Sequence, residues 1–342
     1  MQIITQAIRV IDYENNMVSS RQIMPKFGEY IEQLVDYISK QTSVREYKTQ
    51  SVETEVIGAI LNICKNQTDQ DVIEQNVNMI AERLLREERS VQEKIDRMDI
   101  KVQKGSLILA LLENEGNIQF LLAKVEHTDF FDDVDYSIKS GFSKDAKKIW
   151  KTCLFEIDDV SATQFVAKIY SNTAAKYWWH EFLELQELQS DESNTKRAFQ
   201  AVESTLNKVI KKESPHDYMV IRNSIYLYFN SVDYFDYTDM LNRTVKNYTP
   251  NDMTEEIKGE LLRKLKDLPE QAKFDHQFTP VTSIIKPKMR KTYEVYNGIQ
   301  LRVLRAIEEI KDIICAYRDD DGTPYLRVRV NNDSTFQTFE RK

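Results

Sequence analysis

The chain has 342 residues, enough for one large domain or two. Its 47 Lys and Arg against 55 Asp and Glu leave a formal charge of -8, so attachment to nucleic acid by overall charge is excluded, and any such site must be a local patch on an acidic body. Hydrophobic residues at 41% can build a sizeable core and argue against overall disorder, while only eight Gly and seven Pro argue against a loop-rich all-β chain.

The longest strictly apolar run, Leu107 to Leu112, is six residues, far short of the ~20 a membrane span needs. The opening MQIITQAIRVIDYE has no basic n-region and meets Arg9 and Asp12 early, so no signal peptide is expected. Cys64, Cys153 and Cys315 are far apart and cannot all pair; reduced thiols in a cytoplasmic protein are the expectation.

Ile3, Ile4, Ala7, Ile8 and Val10 predict a short strand at a sheet edge. Helices are predicted over 26–40, 53–65 and 71–98, the first from Phe27, Tyr30, Ile31, Leu34, Val35 and Ile38 at helical spacing. The mixed-charge run REERSVQEKIDR reads as a solvated helix face. At Gly105 the period changes. GSLILALLENEGNIQFLLAKVE predicts two strands around a turn at Asn114–Asn117, with Gly116 supplying positive φ. Their continuous apolar runs imply burial on both faces under helices. A third strand is expected near 149–157, after an acidic loop containing Asp132, Asp133 and Asp135.

From Ser161 helix is expected again. Ser193-Asn194-Thr195 should precede a helix with Ala198, Val202, Leu206 and Val209, and Ser214-Pro215 is a start signal for the next. Residues 236–246 and 251–267 read as helical. After Pro269 the segments 282–290, 291–296, 299–305, 311–318 and 324–330 read as strands, with turns at Asn297-Gly298 and Asp320-Asp321-Gly322. The expected fold class is α+β. A helix-rich N-terminal unit with a small central sheet spans 1–160; a helical layer with an antiparallel meander spans 161–342.

Motifs for chemistry are scarce. There is no Walker loop, no GxGxxG and no GxSxG, and none of His127, His180, His216 and His276 has a partner at zinc-ligand spacing. His216-Asp217 falls in a helix's first turn, where an acid suits the positive helix end. Asp132, Asp133 and Asp135 lack the glycine-punctuated pattern of a calcium loop. Glu256-Ile257-Lys258 is in a helical context, without the strand-borne Asp a nuclease would add. Neither catalytic residues, metal nor cofactor are expected. Trp178-Trp179 reads either as core or as a partner-contact anchor.

The sharpest local signal is basic. Residues 284–305 hold Lys286, Lys288, Arg290, Lys291, Arg302 and Arg305 against Glu294, six positive charges against one negative. On a strand, 286, 288 and 290 would share a face, and Arg327 and Arg329 would share another. Either these are ordinary solvated faces with Lys guarding a sheet edge, or they join into a phosphate-binding surface.

Three stretches resemble the 37-kDa nucleoid-associated protein family of bacteria. They are GSLILALLENEGNIQFLLAKVEH with its continuation toward KKIWKTC, then YWWHEFLELQELQSDESNTKRAF, and FDHQFTPVTSIIKPKMRKTYEVYNGIQLRV with AYRDDDGTPYLRVRV. The likeness is one of order and local wording over roughly residues 105–335 and implies nucleoid association and DNA binding without known catalysis. The reading is therefore a nucleoid-associated DNA-binding protein with little sequence preference, contacting DNA through the eight basic residues named above. The alternative is an acidic protein-interaction module recruited to a DNA-processing or defence complex by a protein partner. A homodimer is also expected, through the Tyr- and Trp-rich segment 177–235.

Overall fold

The computed structural model describes residues 1–40, 44–95, 102, 104–131, 136–142, 151–170 and 176–340, with only the backbone for 128–131 and 138–140. The expected acidic loop at Asp132, Asp133 and Asp135 lies outside the described residues. The fold is mixed helix and strand. Contacts divide the chain into Met1–Ser190 with Asp275–Gln277, and Asp191–Phe274 with Phe278–Lys342.

The first unit is built on a nine-stranded sheet. Its strands are β1 (Gln2–Asp12), β2 (Met17–Ser20), β3 (Arg45–Thr49), β4 (Gly105–Asn114), β5 (Asn117–Phe131), β6 (Ile138–Phe142), β7 (Lys151–Ile157), β8 (Val166–Tyr170) and β9 (Leu185–Glu187). They run in the order β2-β1-β4-β5-β7-β8-β3-β9, with β6 paired to β5. The opening strand is therefore one place in from the edge, between β2 and β4. Helices α1 (Phe27–Ser39), α2 (Glu55–Lys65) and α3 (Gln70–Ile95) stand where the periodicity predicts them.

Alternation sorts the apolar run of β4 onto two faces. Leu107, Leu109 and Leu111 join the core that holds Val56, Ile60, Val77, Ile80 and Leu84 of α2 and α3. Ile108, Ala110 and Leu112 join the second core, with Ile31, Leu34, Val35 and Ile38 of α1. A strand buried on both faces must be apolar at every position, which is why this run lacks period two. Glu115 (φ 55°) and Gly116 (φ 85°) close the β4–β5 turn, and Asn114 pairs with Asn117. Positive φ at both central residues is the hairpin geometry that matches strand twist.

The helix expected from Ser161 is replaced by strand. β8 buries Ala167 and Ile169 while their neighbours are half-buried, the period of two of a strand. β8 and β9 complete the first unit's sheet, and by contacts the division falls at Ser190/Asp191. Tyr177–Phe182 forms a π-helical turn. Arg83 of α3 donates to the carbonyls of Glu181 (2.6 Å) and Phe182 (3.0 Å), holding that turn's end.

The second unit packs α4 (Asp191–Val209) against α5 (Pro215–Ser231), α7 (Glu255–Lys266) and α8 (Leu268–Ala272), with α6 (Tyr237–Leu241) between α5 and α7 in sequence. Ser193, Asn194 and Thr195 lie inside the first turns of α4 rather than ahead of it. Asp236 caps α6 through Asp239 N at 2.9 Å. The core gathers Phe199, Val202, Ile221, Ile225, Phe229, Phe235 and Phe278.

The strand expected over 282–290 is helical. Thr282–Ile284 is a 3-10 turn and α9 covers Lys286–Met289. Ile285 and Met289 are buried four residues apart, and Pro287 sits in the first turn, where its missing N–H costs nothing. Two hairpins follow, Lys291–Tyr296 with Ile299–Val303 and Ile314–Arg318 with Pro324–Val328. Each is its own two-stranded sheet, so the expected C-terminal antiparallel strands take the form of two hairpins. Residues 310–313, the start of another expected strand, form a helical turn.

Candidate anion-binding cleft

The second unit carries a small cleft of about 20 Å³, open to solvent, between α5 and the first hairpin. Tyr218, Arg222 and Tyr226 line it from α5, a stripe at spacing four along one helix face. Lys291, Tyr293, Val303 and Arg305 line it from the hairpin and its exit. The register explains the choice: Lys291 pairs with Val303 and Tyr293 with Leu301, so these side chains share the inner face.

Arg222 fixes the geometry. Its Nε donates to Glu203 Oε1 at 2.8 Å, and its Nη2 donates to the Lys288 carbonyl at 2.7 Å. The second bond holds the end of α9, and thus the start of the hairpin, against α5. The guanidinium also lies 4.7 Å from the Tyr226 ring centre. Asn223 does the same for the hairpin's exit, donating to the Ile307 carbonyl at 2.7 Å and accepting from the Ile307 amide at 3.0 Å.

With the frame held, three groups face the cleft uncommitted. Arg305 is exposed, and among the described residues it has no carboxylate partner. Tyr218 is buried, and its hydroxyl has no hydrogen-bond partner among the described residues. Lys291 is half-buried; burial first, then the nearby Arg222 and Lys211, pull its ammonium below the ordinary lysine range despite Glu203. Among the described residues no carboxylate lines the cleft. Two cations and a phenolic donor around a part-desolvated space suit an oxyanion.

The sequence-predicted basic residues are only partly brought together. Lys291 and Arg305 share the cleft. Lys286 and Lys288 are exposed on α9, not on a strand face, and the Lys288 amine lies 5.9 Å from the Phe199 ring centre. Arg290 is exposed in the extended link to the hairpin. Arg302 pairs with Thr292 and points from the opposite face to Lys291. Arg327 and Arg329 belong to the separate second hairpin. Reading 282–290 as a strand put these residues on one face; the helical turn disperses them. Arg222, Tyr218 and Lys211 escaped the sequence reading, although the i,i+4 stripe Tyr218–Arg222–Tyr226 was there to be found.

Trp178 is a core residue. It is 1% exposed with its ring 4.9 Å from that of Phe182, so it offers nothing to a partner. Trp179 is half-buried against Tyr47 at 4.9 Å. In the segment 177–235 Trp178, Phe182, Phe199, Ile221, Ile225 and Phe229 are buried in the cores.

His216, Asp217 and Asp252 bring potential ligand atoms within 4.8 Å of one another. The Asp217 carboxylate is already committed. It accepts from Tyr248 Oη (2.6 Å) and from the amides of Asn251 (2.8 Å), Asp252 (3.0 Å) and Met253 (2.6 Å). Burial would raise this carboxyl, but these hydrogen bonds outweigh it and hold it below the ordinary value. Asp217 is thus a clamp on the loop before α7, a stronger role than that of a charge at a helix end. Ser106 Oγ lies 2.9 Å from His127 Nε2, but Ser106 is fully buried in β4 and closed to a substrate.

No family model matches the chain. No curated protein matches it either.

Proposed function

We propose that the protein binds nucleic-acid phosphates, without catalysis and with little sequence preference, as a nucleoid-associated protein of the cytoplasm. The observation that carries this reading is the cleft where Lys291, Arg305 and the unpartnered Tyr218 hydroxyl converge with no lining carboxylate among the described residues. Lys286, Lys288 and Arg290 are exposed just before Lys291 in the chain, and we take them as the rim that adds positive charge beside the cleft. Such contacts position a backbone and carry no base information. The likeness to the 37-kDa nucleoid-associated family agrees with this reading. The acidic body keeps binding weak and confines it to the patch.

The test is fluorescence anisotropy of a labelled duplex with the wild-type protein and with Lys286→Ala/Lys288→Ala/Arg290→Ala. Affinity in the micromolar range at moderate salt is expected, with about a tenfold loss in the variant. A folded variant that binds the duplex as well as wild type would remove the rim residues from the site.

One observation favours a protein-contact role alongside. Leu326, Val328 and Val330 are exposed on one face of the second hairpin, with Phe336 and Phe339 exposed just after it. An isolated two-stranded hairpin is marginal in water, and two copies of one apolar face close as a symmetric dimer. Sedimentation should give twice 40.3 kDa at micromolar concentration, and Leu326→Asp/Val328→Asp should restore the monomer mass.

A further inference from the structure

The second hairpin has another face. Cys315 stands opposite Arg327 and Tyr317 opposite Tyr325, so all four side chains project to the same side. Arg329 follows two residues on, and its amide donates to the Ile313 carbonyl at 2.8 Å, continuing the ladder. The Tyr317 and Tyr325 rings are 5.4 Å apart and 17° from parallel. They remain 52% and 45% exposed, so each presents ring surface to water. Arg327 and Arg329 are exposed, and among the described residues neither pairs with a carboxylate. Asp319, Asp320 and Asp321 occupy the turn beyond the tyrosines, so this face runs from a negative tip to a positive base.

Exposed, near-parallel rings beside unpaired guanidiniums match one chemistry closely. Unpaired bases offer π-faces to stack on the tyrosines, and their phosphates reach the arginines. A duplex keeps its bases stacked inside and cannot use the rings. An acidic peptide would satisfy the arginines but leave the rings idle.

We infer that the Tyr317–Tyr325–Arg327–Arg329 face is a stacking platform for single-stranded nucleic acid. This deepens the nucleic-acid reading above and rests on it for the class of ligand, but it uses none of the cleft residues. The acidic turn sets polarity, keeping the strand's phosphates toward the Arg327–Arg329 end.

The experiment titrates the full-length protein into labelled oligothymidylate and, separately, into a duplex of equal length. Tyr317→Leu/Tyr325→Leu keeps an apolar cross-strand pair but removes the rings; Tyr317→Phe/Tyr325→Phe keeps the rings. The leucine variant should lose about tenfold or more in single-strand affinity and the phenylalanine variant less than about threefold, with duplex affinity unchanged in both. Single-strand binding undiminished in the leucine variant, or equal losses for both ligands, would overturn the platform. Should the leucine pair disturb the circular dichroism, Arg327→Gln/Arg329→Gln decides, with a loss of about tenfold for the single strand alone expected. Lys291→Met/Arg305→Ala separates the two readings: if it leaves duplex binding intact while the tyrosine variant loses the single strand, the cleft fails and the platform stands.

Discussion

Lys151 lies directly across the β5–β7 ladder from Lys124, on the sheet face covered by α3. Lys124 is paired with Glu88, both fully buried, whereas the Lys151 amine sits 5.1 Å from the Tyr177 ring centre. Burial, with the Lys124 charge adding to it, lowers Lys151 from 10.5 to about 8.

The pH dependence of stability follows from that pair. The folded-state value lies below the unfolded one, so between them the unfolded chain binds more protons and stability rises with pH. The cost of Lys151 is whole below about pH 8 and is relieved as pH climbs toward 10.5. Lys151→Met should raise the unfolding free energy at pH 7 by about 1 kcal/mol or more and flatten this rise. Urea melts of both proteins from neutral to alkaline pH check it; an unchanged slope would mean that Lys151 is solvated.

Asp217 predicts the opposite limb. Its carboxyl is held below 3.8, so its contribution is intact above that value and fades as pH falls through the folded-state value. Asp217→Asn turns an amide group toward backbone donors and should cost about 2–3 kcal/mol at neutral pH. It should also flatten the acid limb of the stability profile, read by urea melts at several pH values.

Gly105 is required by a close approach of chains. A Cβ there would lie 2.5 Å from the Val125 carbonyl oxygen of the neighbouring strand. Gly105→Ala should destabilise by about 1–3 kcal/mol. Thermal unfolding measures it, and a variant as stable as wild type would show that β4 and β5 separate easily.

Legibility in the sequence followed the strength of the periodic signal. α1, α2 and α3 were readable from long apolar patterns at helical spacing, and the β4–β5 hairpin from two apolar runs joined by a glycine turn. β8 and β9 were not: five and three residues carry little period, and they are strands because β8 pairs with β7 and β3 on its two sides and β9 pairs with β3 at the sheet edge. Residues 286–290 were misread because alternating Lys and Arg mimic a strand, while the buried pair Ile285 and Met289 sets the helical turn. The basic patch was visible as composition. Its cleft was not, since Tyr218 and Arg222 lie some seventy residues before Lys291 and are brought to it by long-range bonds, Arg222 to Lys288 and Asn223 to Ile307.

The salt dependence of duplex binding tests phosphate contact at the cleft most directly. Each cation that neutralises a phosphate contributes about 0.9 to the slope of log K against log salt. Wild type should give a slope of about -4 to -5, and Lys291→Met/Arg305→Ala should reduce its magnitude by about two while the fold, followed by circular dichroism, is unchanged. An identical slope for the folded double variant would contradict phosphate binding at Lys291 and Arg305.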